Sequence, residues 1–275
     1  MFIFKNVIKF EHEMKNIKPL KRFGQNYLTD KNTILKMIDV LNLNPDDSVI
    51  ELGPGKGSIT EELLNKLKQL TAIEIDTRVI KDLTNKFPNL NLIQNDFTKI
   101  NFATLKSIKN FPIKVIGNIP FNLTGEVLFK SIYEKDVISD VVLLMPYDIA
   151  KRIVAQKKTK EYGILTILFT YFSTAKLVYK VSRNVFFPKP NIESAIVHIK
   201  FDKKENKNID RELFIKVVKA SFGNRRKTLK NSLSNSIFSN CDFSKIELSL
   251  SKRAEELNVN DFIKLTEYIQ KNNAG

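Results

Sequence analysis

The sequence predicts an α/β protein built on a mostly parallel sheet, followed by a small all-helical C-terminal domain. Three observations predict it. Four apolar runs, each the length of a strand, end in a polar residue (Glu51, Glu74, Asp96 and Asn118), with a helix-length segment between each and the next. That alternation calls for parallel strands joined by right-handed crossovers. A glycine-rich loop, Gly53-Pro54-Gly55-Lys56-Gly57, separates the first run from an amphipathic stretch. After the charged, structure-poor stretch Asp202–Asp210, the apolar residues recur only at helical spacing.

Taken in order, residues 1–20 are expected to form an N-terminal extension, without the long apolar core of a secretory leader or the acid-poor character of a transit peptide. Lys21–Leu28 is a basic and aromatic arm, and Asp30 is placed to cap a helix carrying Ile34, Leu35, Ile38 and Leu41. Val49–Leu52 then runs into the glycine loop. Ser58 to Glu61 has the spacing of a capping box, and Ile59, Leu63, Leu64 and Leu67 form the apolar stripe behind it. Glycines between a strand and a helix start expose backbone N–H groups and let a ligand approach closely. The spacing is G-x-G-x-G with Ser58 where a dinucleotide fold has its third glycine, which argues against NAD. Thr71–Glu74 ends in an acid suited to accept hydrogen bonds from both hydroxyls of a ribose. Leu90–Gln94 leads to Asn95-Asp96, suited to reading an adenine edge. Ile113–Ile116 opens into Gly117-Asn118-Ile119-Pro120-Phe121, which joins an amide, a proline turn and an aromatic ring. That group suits a flat nitrogen heterocycle. Phe121 stacks on its face, while the Asn118 side-chain oxygen and the Ile119 carbonyl accept from an exocyclic amine. All four polar strand ends are expected on one rim, where open parallel sheets bind ligands. Asp140–Leu144 is a fifth strand. Helices over 147–157 and 162–172 and a strand pair near 174–181 and 193–201 follow.

Composition bounds the function. A single cysteine, Cys241, excludes an internal disulfide framework, and His12 and His198 are the only histidines, so no metal is expected. No apolar run approaches the ~20 residues of a membrane span. The net charge of +15 is clustered: residues 211–230 carry seven Lys or Arg against Glu212, and residues 146–191 carry nine against Asp148 and Glu161. Clusters of this kind mark a polyanionic partner, and Arg225, Arg226 and Lys227 are expected to contact phosphates.

The motifs KRFGQNYL (21–28), IELGPGKGSIT (50–60), IEID (73–76), GNIPFN (117–122), YGILT (162–166), FFPKPNIESA (186–195) and FGNRRKTLKNSL (222–233) together resemble the ribosomal RNA adenine dimethyltransferases. The resemblance runs from about Leu20 to Leu265. It implies a Rossmann-like methyltransferase domain over 21–202, a helical RNA-binding domain over 203–275, and S-adenosylmethionine as cofactor. It implies that Asn26, Leu28, Gly53, Glu74, Asp96 and Asn118 contact the cofactor. Asn118, Pro120 and Phe121 would form the adenine pocket, with Phe186 as a second stacking ring. The implied partner is small-subunit rRNA or a small-subunit precursor, met by a monomer in the cytoplasm. Two alternatives stand beside it: a large-subunit rRNA methylase conferring macrolide resistance, and a non-catalytic nucleic-acid-binding factor of the same fold. KRFGQN and FGNRRKTLKNSL favour the first reading, and the intact glycine loop with Glu74, Asp96 and Asn118 argues against the last. The chain departs from the family at Phe121, where Tyr is usual, and at Met145–Asp148, where a Gln and a Glu are expected.

Overall fold

The computed structural model describes residues 25–107, 112–204, 206 and 208–272. The expected N-terminal extension and residues 21–24 of the basic arm lie outside them. The described chain divides into two compact units, one formed by the residues up to Ala150 with Lys176–Phe201, the other by Lys151–Ala175 with the residues from Asp202 onward.

The first unit holds the sheet-and-crossover pattern. After β1 (Tyr27–Leu28) comes α1 (Lys31–Asp39), started by Asp30, whose carboxylate accepts from the Thr33 backbone N–H at 2.8 Å. Then follow β2 (Ser48–Leu52), α2 (Ser58–Leu64), β3 (Leu70–Glu74), α3 (Thr77–Lys86) and β4 (Leu90–Gln94). Next are β5 (Ile113–Asn118), α4 (Thr124–Tyr133), β6 (Ile138–Pro146), and α5 (Tyr147–Ile153), which crosses the unit boundary. Past α6 (Ile164–Phe172), which belongs to the second unit, β7 (Thr174–Val181), β8 (Phe186–Phe187) and β9 (Ser194–Lys200) complete the series. The order across the seven-stranded sheet is β4-β3-β2-β5-β6-β9-β7. The first five strands in this order are parallel, as continuous apolar runs separated by helices require, and β9 lies antiparallel to β6. Helices α1 and α2 set Ile34, Met37, Ile38, Ile59 and Leu63 against Val49, Ile116, Val142 and Leu144 of the sheet. Each such side chain contributes roughly 1.5–3 kcal/mol by leaving water.

One local expectation changes. The capping box at Ser58 does not form: α2 begins from Gly57, whose φ of 81° is open only to glycine without strain. The Gly57 N–H donates to the Pro54 carbonyl at 2.8 Å, so a left-handed turn, and not a serine cap, delivers the chain into the helix. Glu61, freed from capping, pairs with Lys86 at 2.7 Å.

The second unit contains α6, α7 (Arg211–Ser221), α8 (Leu229–Ser234) and α9 (Val259–Asn272). Residues 151–175, which the sequence reading assigned to the sheet domain, group here with the C-terminal helices. The reason lies in α6, where Ile167, Leu168, Phe169, Tyr171 and Phe172 are all buried and need apolar helices around them. Tyr171 meets Phe214 at 4.3 Å between ring centroids, and Phe222 stacks on Phe262 at 5.8 Å.

Candidate active site

In the first unit, a cavity of about 260 Å³ opens at the carboxyl ends of β2, β3, β4 and β5. Its walls include Asn26, Leu28, Gly53, Glu74, Asp96, Asn118, Pro120 and Phe121. Eight residues singled out from five separate stretches of sequence are thereby brought to one place.

The floor is set by backbone chemistry. Gly53 and Gly55 take φ of 65° and 55°, and a Cβ on Gly55 would meet the Tyr27 ring at 3.0 Å. The ring therefore lies directly on the loop. Gly117 is required for a different reason: a Cβ there would come within 2.7 Å of the Leu52 carbonyl oxygen, across the β2–β5 pairing.

Glu74 closes β3. Its Oε1 accepts from the backbone N–H groups of Ile75 and Asp76, both at 2.9 Å, and Oε2 accepts from Gly55 N–H at 3.1 Å. Burial raises its pKa, and these three bonds pull the other way. A carboxylate has about four lone-pair sites, so with three bonds made Glu74 keeps acceptor capacity toward the cavity. Asp96 spends Oδ1 on Thr98, accepting from its N–H at 2.9 Å and its hydroxyl at 2.7 Å. Asn118 donates through its side-chain NH2 to the Asn26 carbonyl at 2.9 Å. That bond turns Oδ1 into the acceptor the side chain offers, the polarity needed to receive an exocyclic amine.

Residues 25–28 form a strap along the cavity. Tyr27 and Leu28 pair antiparallel with Phe187 and Phe186, and Thr29 N–H donates to the Val185 carbonyl at 2.9 Å. Gln25 donates to Asp76 at 2.9 Å and accepts from the Tyr27 hydroxyl at 3.0 Å. Arg78 Nε reaches the same carboxylate at 2.8 Å, and this bond holds Asp76 below the usual carboxylate range. Burial, with Asp76 nearby, pushes the Tyr27 phenol up to about 12.

Several expectations are revised. Glu51 is not on the rim. It is 1% exposed, one residue short of the end of β2, and accepts from the Thr60 hydroxyl of α2 at 2.7 Å. Side chains alternate along a strand, so Glu51 faces the helix layer. Burial pushes its carboxyl up to about 8. Phe186 is absent from the cavity wall and 4% exposed, within the core around Leu28 and Ile34, so its face is not open to a base here. Of the phosphate ligands expected in the second unit, Arg225 is committed inside it. Its guanidinium donates to the carbonyls of Lys160 and Tyr162 at 2.6 and 3.2 Å and pairs with Glu255 at 3.2 Å. All three, Arg225 included, are exposed, but only Arg225 has its guanidinium taken up by these carbonyls. Met145–Asp148 contribute nothing to the wall; Tyr147 N–H donates to the Glu193 carbonyl at 3.0 Å.

The sequence reading missed Gln25, Tyr27, Lys56, Ile75 and Phe97, all on the wall. Ile75 carried a signal: an apolar residue between two acids just past a strand, half exposed here and suited to lie on a purine face. Lys56 Nζ sits 5.1 Å over the Tyr27 ring, and burial holds its ammonium below the usual range. Among the described residues there is no cluster of three or more His, Cys, Asp or Glu able to hold a metal ion, and no helix long and apolar enough to cross a membrane.

The family model for ribosomal RNA adenine dimethylase matches residues 16–271. The chain belongs to that family. It is 35% identical over 265 residues to a ribosomal RNA small subunit methyltransferase A of Chlorobium phaeobacteroides, covering 96% of each chain. A protein of the same name from Francisella tularensis subsp. novicida is 34% identical over 92% of this chain and 98% of its own. Among solved structures, a dimethyladenosine transferase from Plasmodium falciparum superposes with a TM-score of 0.75 at 24% identity, covering 90% of this chain and 98% of that one. The 23S rRNA methyltransferase ErmE gives 0.65 at 24%, over 89% and 100%. Those two likenesses are of fold: a Rossmann-like sheet followed by helices. As a member of the family the protein is an rRNA adenine dimethyltransferase that uses S-adenosylmethionine. The wall fits that cofactor, with a glycine cradle, a strand-end carboxylate retaining acceptor capacity and a half-exposed isoleucine beside it.

Proposed function

We propose that the protein dimethylates the exocyclic amines of two adjacent adenosines in a hairpin near the 3′ end of small-subunit rRNA, during ribosome assembly. Relatives aligned over nearly their whole length and named for the small subunit support this choice of RNA. In this reading Asn26, Leu28, Gly53, Glu74 and Asp96 hold the cofactor, and Asn118, Pro120 and Phe121 hold the adenine. The protein acts as a monomer in the cytoplasm, and gel filtration of the pure protein checks the first of these.

The observation that carries the reading is the orientation of Asn118, fixed by its bond to Asn26. S-adenosylmethionine supplies an activated methyl, so what remains for the protein is placement. The adenine amine is a weak nucleophile because its lone pair is delocalised into the ring. Asn118 Oδ1 and the Ile119 carbonyl accept hydrogen bonds from its two N–H groups and so turn the lone pair out of conjugation. Phe121 stacks on the ring of a base that has left its helix. Pro120, fixed at φ −55°, holds the turn between the two groups. The same carbonyl geometry serves the monomethylated amine with one proton remaining, provided the cavity admits the first methyl.

The test is incubation with labelled S-adenosylmethionine and either small- or large-subunit particles, followed by mapping of the modified base. Small-subunit adenosines are expected; transfer to the large subunit, or to neither, would overturn the proposal. In the same assay Asn118→Ala should slow single-turnover transfer by about two orders of magnitude or more, as for loss of one preorganised polar contact. RNA affinity should move less than about tenfold, since phosphate contacts dominate it.

A further inference from the structure

We infer that the surface formed by residues 176–192 is a shelf for single-stranded RNA flanking the target adenosine, with Phe187 as the ring on which a neighbouring base stacks. The inference rests on the rRNA reading above and deepens it.

The first observation is where apolar surface is left in water. Of eight large apolar side chains exposed among the described residues, four lie in this short stretch: Val178, Tyr179, Phe187 and Ile192. Phe187 is 63% exposed, although its neighbour Phe186 is fully used by the core. A phenylalanine so exposed, in a cluster of exposed apolar residues, marks a binding surface more than a fold requirement.

The second observation is charge. Residues 176–192 carry Lys176, Lys180, Arg183 and Lys189 and no acid. Two ammonium groups lie against aromatic rings: Lys36 over Tyr179 at 3.7 Å and Lys180 over Tyr147 at 5.1 Å. Cations interleaved with aromatic faces are the chemistry of single-stranded nucleic acid, where rings take bases and cations take phosphates. An acidic protein would use the charge but has no comparable use for an isolated flat ring.

The third observation is position. Phe187 is directly opposite Tyr27 in the β1–β8 pair, and Tyr27 lines the cavity. Opposite residues of an antiparallel pair share a side, with Cβ atoms ~5 Å apart. The Phe187 ring is therefore mounted one residue outside the cavity wall. Its support is rigid: Val185 accepts from both the N–H and the hydroxyl of Thr29, each at 2.9 Å. A base flipped into the cavity has a neighbour one nucleotide away, and that neighbour loses a stacking partner when the target leaves. Phe187 is placed to replace it.

The experiment uses the full-length protein with short single-stranded RNAs carrying 2-aminopurine on the 5′ or the 3′ side of the target adenosine. Wild type and Phe187→Trp should quench the fluorescence of at least one of them on binding, and Phe187→Ala should not. Phe187→Ala should also weaken binding of that RNA roughly ten- to a hundred-fold, the range for losing one base–aromatic stack. Its affinity for S-adenosylmethionine by calorimetry should stay at the wild-type value. Equal quenching and equal RNA affinity in Phe187→Ala, or no binding of either RNA by wild type, overturns the inference. A concentration-dependent dimer that Phe187→Ala disrupts would assign the shelf to a second copy of the chain and equally overturn it. If Phe187→Ala still methylates rRNA normally while Asn118→Ala does not, the shelf is wrong and the catalytic reading stands. If wild type methylates no rRNA, that reading itself has failed.

Discussion

Glu51 and Glu74 are two carboxylates on adjacent strands with opposite lives. Glu74 meets three backbone N–H groups on the cavity, and these bonds oppose the upward push of burial on its pKa. Glu51 meets one hydroxyl, with burial pushing its carboxyl from the usual 4.5 up to about 8. Between those two values the folded protein keeps the Glu51 proton and the unfolded chain does not, so folding binds protons there. Stability attributable to Glu51 must then fall as pH rises through that window and level off above it. Glu51→Gln retains an acceptor for Thr60 and removes the titration. Its melting temperature should gain steadily on wild type from pH 5 to pH 8. Each tenfold change in proton affinity is worth about 1.4 kcal/mol, so a gap of a few kcal/mol is expected at the upper end. Parallel melting curves for the two proteins across this range would show that Glu51 is ionised throughout.

The elements that build the site depend on close backbone approach more than on side-chain contacts. At Gly117, β5 runs so near β2 that any side chain collides with a carbonyl oxygen of the neighbouring strand. Gly117→Ala should cost about 1–3 kcal/mol, as overpacking does. Because Asn118 is the next residue, cofactor affinity should drop as well; an unchanged melting temperature and affinity would mean that the strands part without penalty. Much at this scale was legible in the sequence. Parallel strands followed from continuous apolar runs, and Glu74, Asp96 and Asn118 could be placed on one rim because each ended a run. Glu51 misled because an acid one residue before a strand end looks like an acid at the end, and only the pleat tells them apart. Ser58 misled because serine with a glutamate three residues on is a real helix start elsewhere, whereas here the left-handed Gly57 does that work. Phe186 was picked over Phe187 on resemblance alone, since which of two adjacent aromatics faces inward depends on the register with Tyr27 and Leu28, far away in the chain. Tyr27 and Gln25 escaped notice for the same reason: their partners Gly55 and Asp76 lie in other motifs.

For the molecule as a whole, the +15 charge sets how it meets a polyanion. Arg225, Arg226 and Lys227 are all exposed on the helical unit, but Arg225 also bonds two of its carbonyls. Replacing Arg226 and Lys227 with Gln should therefore weaken RNA binding and reduce the log–log salt slope by roughly 1.4–1.8, at 0.7–0.9 for each lost phosphate contact. Arg225→Gln should instead lower the melting temperature with little change in slope. An undiminished slope in the double variant would make these residues a solvated helix approach and nothing more. The ladder between Tyr27–Leu28 and Phe186–Phe187 has one further consequence, and it concerns time. Its two strands are synthesised more than a hundred residues apart, and closing so long a loop carries an entropic cost that only the later residues repay. While the chain is being translated, the glycine loop and the two strand-end carboxylates Glu74 and Asp96 can be in place with the strap still lacking its partner. All the residues of the wall have by then been made, but the strap that carries Asn26 and Leu28 gains its strand partner only when β8 emerges, so that side of the wall is the last to be fixed.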